Sequence, residues 1–193
     1  VANVSHELKT PMTTIGGYID GMLDGTIPPE KQQHYMQIVS GEVRRLSRLV
    51  RNMLDIAKLQ AMGVEESRKT RFDLGEELSD VLITFEQKIY NKHLDVRVDL
   101  PDKPVWTRAE RDSITQVIYN LIDNAIKFSR ENSVIYIQTS LKYEKVFVSV
   151  KDTGIGIPKE SIKKIWDRFY KSDLSRGKDK KGTGLGLAIV KEI

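Results

Sequence analysis

Cysteine is absent from this 193-residue sequence. Without thiols the chain can form neither a disulfide framework nor a thiolate metal site, and this composition fits a reducing compartment. Long apolar runs and signal-peptide patterns are also missing, so these residues are predicted to be soluble and to hold no membrane span. Basic residues outnumber acidic ones by only 31 to 27, which leaves a net charge of +4. An excess this small does not favour binding to nucleic acid or to a membrane surface.

Two long helical patterns occupy the first third of the chain. Apolar residues recur at helical spacing from Val4 to Met22, and again from Tyr35 to Ala57. A break with a glycine and two prolines separates them at 24–32. The pattern predicts an antiparallel hairpin whose apolar seam is too broad for the hairpin to cover. A second copy would complete a four-helix bundle, and burial of the seam on the downstream domain is the alternative.

The periodicity changes after a polar linker at 62–70. The segments beyond it are helical at 75–91 and 110–128, strictly alternating at 94–100, and hairpin-like at 134–150 with a turn near Tyr143 and Glu144. This mixture predicts an α+β domain of sheet and helices over 71–193. Because both termini fall inside helical patterns, we expect the chain to be a piece of a longer protein.

The segment NVSHELKTP places an ionisable ring beside a helix-breaking residue. His6 and Thr10 share one helix face, and Glu7 lies about 100° around the helix from His6. Pro11 has no N–H for the carbonyl of Glu7, so the helix is expected to bend beside His6. The bend would admit a large substrate to the ring, and Glu7 could accept its N–H and fix the tautomer. Taken alone, a histidine is more often an ordinary surface or core residue than a reactive one, and that alternative stays open for His6.

The segment NLIDNAIK carries a polar stripe along a predicted helix. Asn120, Asn124 and Lys127 lie at positions i, i+4 and i+7, opposite apolar residues. Amides and a lysine in line can hold a metal ion and phosphate oxygens. A solvated helix face would show the same pattern.

The segment DTGIGIP ends a strand with a carboxylate. Asp152 shares the parity of the apolar residues before it, so it points inward and needs a donor, such as a purine amino group. Gly154 and Gly156 allow a sharp turn beside a flat ligand. A tight turn without a ligand is the alternative.

The segment GTGLGLAIV, residues 182–190, leads from glycines into an apolar helix. Free backbone N–H groups at such a start favour phosphate, although neither the dinucleotide fingerprint nor the P-loop fits. The preceding residues 171–181 hold five bases and two acids, a net charge of +3. That segment is typical of a mobile lid over an anion, or of a solvated loop.

In order and spacing, these motifs resemble the bacterial sensor histidine kinases of two-component signalling. SHELKTP resembles the phosphoacceptor box, NLIDNAIKFS the asparagine box, DTGIGIP and GTGLGLAIV the two glycine boxes, and IWDRFYK the phenylalanine box. The resemblance covers nearly the whole chain. It implies a dimerisation and phosphotransfer hairpin at 1–61, a linker at 62–70, and at 71–193 a Bergerat-type α/β sandwich that binds ATP, as in gyrase and mismatch-repair ATPases.

The resemblance also assigns roles. His6 would be phosphorylated on a ring nitrogen, Glu7 would polarise it, and Thr10 would position water when the hairpin dephosphorylates a partner. Asn120 would ligate Mg²⁺, Asn124 and Lys127 would contact the phosphates of ATP, and Asp152 would bond the adenine amino group. The remaining implied nucleotide-binding positions form the pocket and the lid hinge: Gly154, Gly156, Phe169, Tyr170, Lys171, Gly182, Thr183, Gly184, Leu185 and Gly186.

The function implied is ATP-dependent autophosphorylation of His6 in a homodimer, followed by transfer to an aspartate of a response-regulator receiver domain. A mainly phosphatase role and a dimeric ATP-binding scaffold without kinase chemistry are the alternatives. The implied location is the cytoplasmic part of a membrane-anchored sensor, with membrane contact only through other segments. Two features depart from the family: Trp166 replaces the usual phenylalanine, and the family's final strands are not among these residues, so we expect the ATP-binding domain to be C-terminally truncated here.

Overall fold

The computed structural model describes residues 2–62, 68–172 and 182–193. The helices in these ranges are α1 (Ala2–Leu23), α2 (Pro29–Met62), α3 (Leu74–Ile83), α4 (Glu86–Asn91), α5 (Arg111–Phe128) and α6 (Gly186–Glu192). The strands are β1 (Thr70–Asp73), β2 (Asp95–Asp99), β3 (Trp106–Ala109), β4 (Val134–Lys142) and β5 (Lys145–Asp152). None of these helices combines the length and apolarity that a bilayer crossing needs.

Helices α1 and α2 form the predicted hairpin. The rings of Tyr18 and Tyr35 lie 4.9 Å apart near the turn, and Glu7 reaches Arg45 far from it, so the helices are antiparallel. Helix α1 is continuous through Pro11, whose ring is fully buried. The bend expected there stays a prediction.

The seam of the hairpin is only partly covered within one chain. Val50 and Leu54 of α2 are 43% and 59% exposed, as expected of a surface that a second copy would cover. Leu49 and Ile56, on another face of α2, are buried against Leu185 and Ile189. The alternative of packing on the downstream domain is therefore realised for that face.

The predicted linker at 62–70 is described only at its edges. Helix α2 continues to Met62 and β1 begins at Thr70, while 63–67 lie outside the described residues. The division of the chain into two domains at this linker stays a prediction.

The downstream domain has the predicted α+β architecture. Strand β4 is central in a three-stranded sheet, parallel to β2 and antiparallel to β5, while β1 and β3 form a separate antiparallel pair. Alternate side chains of β4, such as Ile135 and Ile137, are buried in one core with residues of α3 and α5 such as Leu78 and Ile122, since successive strand residues face opposite sides.

The β4–β5 hairpin turns where the sequence predicts. Tyr143 and Glu144 both have positive φ, 50° and 60°, the conformation of a two-residue turn that matches strand twist. The turn sets the register that pairs Ile135 with Asp152. It therefore fixes where the Asp152 carboxylate lies at the end of β5.

Candidate active site

A cavity of about 560 Å³ lies among α5, the end of β5, the start of α6 and one face of α2. Its volume is in the range of small-molecule sites. The predicted residues that line it are Asn120, Asn124, Lys127, Asp152, Gly156, Tyr170, Lys171, Gly182, Thr183, Gly184 and Gly186. Segments separated by tens of residues in the sequence thus converge on one concave surface.

Three predicted residues, Gly154, Phe169 and Leu185, do not line the cavity. A Cβ on Gly154 would lie 2.2 Å from the Phe128 carbonyl oxygen, so glycine lets the loop pack on the end of α5. Phe169 has a left-handed backbone (φ 64°) and donates its N–H to the Gly184 carbonyl at 2.9 Å. Leu185 is fully buried between α2 and α6. None of the three residues lines the cavity, but each helps to position a backbone segment beside it.

Asn120 presents an amide oxygen to the cavity region. Its Nδ2 donates to the Gln116 carbonyl at 2.9 Å, and its Oδ1 lies where a Cβ on Gly186 would come within 3.0 Å of it. Across the described ranges no cluster of three or more acidic, histidine or cysteine side chains could hold a metal. A cation here would therefore depend on amide oxygen and on oxygens of a ligand, a donor set that suits Mg²⁺.

Asp123, which sequence reasoning missed, pairs with two lysines of the cavity. Its carboxylate lies 2.9 Å from Lys88 and 2.7 Å from Lys127. Burial disfavours the charged carboxylate, but Lys127 and Lys88 outweigh burial and hold the pKa of Asp123 below its ordinary value. The i, i+4 spacing of Asp123 and Lys127 was a readable signal, whereas Lys88 comes from a distant helix.

Asp152 sits at the mouth of the DTGIGIP turn. Its Oδ1 accepts the Gly154 N–H at 2.8 Å, which leaves its second oxygen for other donors. Gly156 turns with φ 71°, in the region that favours glycine. The carboxylate is thus anchored to its own loop while it lines the cavity.

His6 is exposed on α1 and lies outside the cavity lining. Its imidazole makes no hydrogen bond to any residue that the structure describes. Thr10 donates its hydroxyl to the His6 carbonyl at 3.1 Å, and Glu7 pairs with Arg45 at 3.2 Å. Glu7 was expected to hold the imidazole; the contact it makes here is with Arg45, which also bonds Glu42.

Helix α2 contributes cavity residues that the sequence did not indicate. Arg48 and Asn52 line the cavity, and Asn52 Nδ2 donates to Thr183 Oγ1 at 3.3 Å. Gln116 of α5 donates to Asp55 at 3.3 Å. These contacts join residues more than 60 positions apart, so no local spacing could reveal them.

The ends of the predicted lid are described, and 173–181 lie outside the described residues. Tyr170 donates its hydroxyl to Ser161 Oγ at 2.9 Å, and Lys171 donates its ammonium to the Gly182 carbonyl. The contact between Lys171 and Gly182 brings the two ends of the lid together at the cavity rim.

Family comparisons cover most of the chain. The His Kinase A (phospho-acceptor) domain matches residues 1–61, and the Histidine kinase-, DNA gyrase B-, and HSP90-like ATPase matches residues 109–193. Sensor histidine kinase WalK of Bacillus subtilis (strain 168) is 35% identical over 196 residues, covering 100% of this chain and 32% of WalK. The chain spans about a third of the length of the curated relatives it matches.

Solved structures agree. Histidine kinase AdeS of Acinetobacter baumannii matches with TM-score 0.75 and 28% identity, over 97% of this chain and 84% of AdeS. The catalytic domain of histidine kinase ThkA matches with TM-score 0.58 and 36% identity, over 65% of this chain and 78% of that one. ThkA in complex with response regulator protein TrrA matches with TM-score 0.72 and 33% identity, over 91% and 52%. With five motifs in order and a cavity lined by residues of four of them, the chain belongs to the sensor histidine kinases.

Proposed function

We propose that this chain is a kinase core that transfers the terminal phosphoryl group of ATP to His6 and from there to an aspartate of a response regulator. The observation that carries the proposal is the cavity, where Asn120, Asn124, Lys127 and Asp152 line one space. An ATPase family match over residues 109–193 supports ATP as its ligand.

The lining suggests how ATP would lie. The Asp152 carboxylate would accept a hydrogen bond from the adenine amino group. Lys127, held by Asp123 at 2.7 Å, would face the phosphates. Asn120 would ligate Mg²⁺ through Oδ1, since its Nδ2 is committed to Gln116; Mg²⁺ would supply charge neutralisation at the phosphate oxygens.

The transfer needs little covalent help from protein, so positioning carries it. A neutral ring nitrogen of His6 would attack the terminal phosphorus in line. The N–P bond would form as the bond between phosphorus and the ADP oxygen breaks, and the proton on the other ring nitrogen would pass to solvent, to which His6 is exposed. Because His6 lies outside the cavity lining, the ATP-binding domain must move relative to the hairpin, or deliver phosphate to the partner's histidine.

The partners follow from the hairpin. The exposed seam around Val50 and Leu54 supports a homodimer through a four-helix bundle. The ThkA–TrrA complex supports a receiver domain as the second partner. Location in the cytoplasm, below a membrane-anchored sensor, stays a prediction.

A phosphatase activity toward the phosphorylated regulator is a second candidate. Thr10 is exposed one turn from His6, where its hydroxyl could position water at a docked phosphoaspartate. Thr10→Ala would then lose dephosphorylation of the regulator and retain autophosphorylation.

Autophosphorylation tests the proposal. After incubation with Mg-ATP, the wild-type chain should gain one phosphoryl group that is lost in acid and stable in base. His6→Gln should gain none, because it lacks the ring nitrogen. His34→Gln is the matched control, since His34 is an exposed histidine of the same hairpin, and it should label normally. Labelling of the His6 variant would refute the assignment.

A further inference from the structure

One wall of the cavity belongs to the phosphotransfer hairpin. Leu49 and Ile56 of α2 are buried with Leu185 and Ile189, and Asn52 bonds Thr183 at 3.3 Å. Leu49, Asn52 and Ile56 lie on one face of α2. Their contacts hold that face against the edge of the cavity near the start of α6. Arg48, one turn before Asn52, is thereby placed at the cavity.

Arg48 differs from the other cations that line the cavity. Lys88 and Lys127 share the carboxylate of Asp123, and Lys171 donates to a backbone carbonyl. The Arg48 guanidinium has no hydrogen bond or ion pair with any residue in 2–62, 68–172 or 182–193. An arginine offers five N–H donors in a planar fork, so this side chain has its full bonding capacity available to a ligand.

The contacts of α2 place Arg48 on the side of the cavity that the glycine-rich segment 182–186 forms, because Asn52, one turn further along, bonds Thr183. Asp55 accepts from Gln116 at 3.3 Å, and the Gln116 carbonyl accepts from Asn120 at 2.9 Å. Helix α2 therefore meets α5 one turn before Asn120, the residue proposed to hold Mg²⁺, and Arg48 lines the same cavity as Asn120 and Lys127. Asp152, proposed to bind adenine, comes instead from the end of β5.

We propose that Arg48 is a nucleotide-binding residue supplied by the phosphotransfer hairpin, and that its guanidinium bonds the polyphosphate oxygens of the nucleotide in the cavity. Guanidinium and phosphate match in geometry and charge, and such pairs are among the stronger hydrogen bonds in proteins. The proposal rests on the proposed function, in that the cavity must hold a nucleotide.

Arg48 lies close to Arg45 on the same helix. Arg45, three residues before Arg48 and about 4.5 Å along the axis, holds Glu7 beside His6. Two neighbouring arginines therefore lie on one face of α2. Arg45 bonds the residue next to the phosphoacceptor His6, and Arg48 lines the cavity proposed for the nucleotide. A nucleotide bound in the ATP-binding domain can contact Arg48 only while the hairpin is packed against that domain. Binding of its polyphosphate by Arg48 would therefore stabilise this packed arrangement.

The experiment measures dissociation constants of a non-hydrolysable ATP analogue and of adenosine with the full chain by calorimetry. Arg48→Gln should weaken the ATP analogue about tenfold, the scale of one charge-assisted hydrogen bond at an exposed site, and leave adenosine unchanged. Arg48→Lys should recover part of the loss, because it keeps the charge without the fork. Arg51→Gln is the matched control, an exposed arginine of α2 outside the cavity lining, and should bind as wild type.

Two results would overturn the role of Arg48 alone, and a third would overturn both that role and the proposed function. If the Arg48→Gln and Arg51→Gln chains bind the ATP analogue equally well, this inference is wrong while the proposed function stands. Equal weakening of the ATP analogue and adenosine would also overturn it, because Arg48 would then act on the cavity shape rather than on phosphate. If the wild-type chain binds no nucleotide, both proposals fail together.

Discussion

In the proposed site, the orientation of the nucleotide depends most on Asp152. Its Oδ1 is tied to the Gly154 N–H at 2.8 Å, which fixes the carboxylate in a cavity wall that is otherwise built from glycine and apolar side chains on that side. A carboxylate accepts from an amino group more strongly than a neutral amide does. The adenine end of the proposed site therefore has one charged contact.

Removing that charge should weaken nucleotide binding. Asp152→Asn keeps the size of the side chain and an oxygen for the Gly154 N–H, so the loop should remain folded. We expect the dissociation constant for ADP to rise about tenfold, the scale of losing the charge in one hydrogen bond. Titration calorimetry checks this, with Asp102→Asn, exposed in a loop away from the cavity, as the control. Unchanged affinity would exclude the proposed contact.

At the scale of elements, a buried acid of α3 adds polar contacts to the apolar packing between α3 and α5. Glu77 accepts from Arg111 Nε at 2.5 Å and from the Thr115 hydroxyl. Burial opposes its charge, but the bonds from Thr115 and Arg111 outweigh burial and hold the pKa of Glu77 below its ordinary value of 4.5. Since α5 carries Asn120, Asn124 and Lys127, this contact also supports the cavity.

The lowered pKa makes these polar contacts sensitive to acid. A carboxyl whose pKa is lower in the folded state stabilises the fold above its unfolded pKa, and that stability is lost as the pH falls through the folded value. Glu77→Gln should therefore lower the free energy of unfolding at pH 7 and flatten its decline between about pH 5 and pH 3. Denaturant unfolding at several pH values measures this.

Glu76→Gln, exposed on the same turn of α3, is the control and should keep both the stability and the slope. An unfolding free energy of Glu77→Gln that matches wild type across the pH range would show that the contact contributes nothing net.

Most elements could be predicted from the sequence because their signals are local. Helical spacing predicts α1, α2 and α5, and strand alternation predicts β2. Glycine also marks a turn of the cavity at Gly156, whose positive φ favours glycine. What the sequence did not reveal depends on long-range contacts: the Glu7–Arg45 pair, Lys88 at Asp123, and the approach of Arg48 to the cavity. Their partners are set by tertiary packing, which leaves no mark in residue spacing.

At the scale of the whole molecule, the hairpin carries an apolar surface that one chain leaves exposed. Val43, Val50 and Leu54 form an exposed apolar stripe on α2, distinct from the face that Leu49 and Ile56 bury against α6. Helix α2 thus has two apolar faces, one buried within the chain and one exposed, which the proposed second copy would cover. Burying such a stripe in a bundle is favourable in proportion to the apolar area removed from water.

A charge in the stripe should separate the dimer. Val50→Asp would place a carboxylate in the proposed interface without a partner, at a cost that outweighs the apolar contact it replaces. Sedimentation equilibrium should show a dimer for wild type and a monomer for the variant. Ile83→Asp, 67% exposed on α3 outside the hairpin, should remain dimeric. A monomeric wild type, or a dimeric Val50→Asp chain, would contradict the four-helix bundle.

The central claim is that the cavity among α5, β5, α6 and α2 is the ATP site, and a crystal structure of the chain with a non-hydrolysable ATP analogue and Mg²⁺ tests it most directly. We predict the adenine amino group within hydrogen-bond distance of the Asp152 carboxylate, and the phosphates beside Asn120 and Lys127. An analogue bound elsewhere, or with its phosphates at Asp152, would contradict the account.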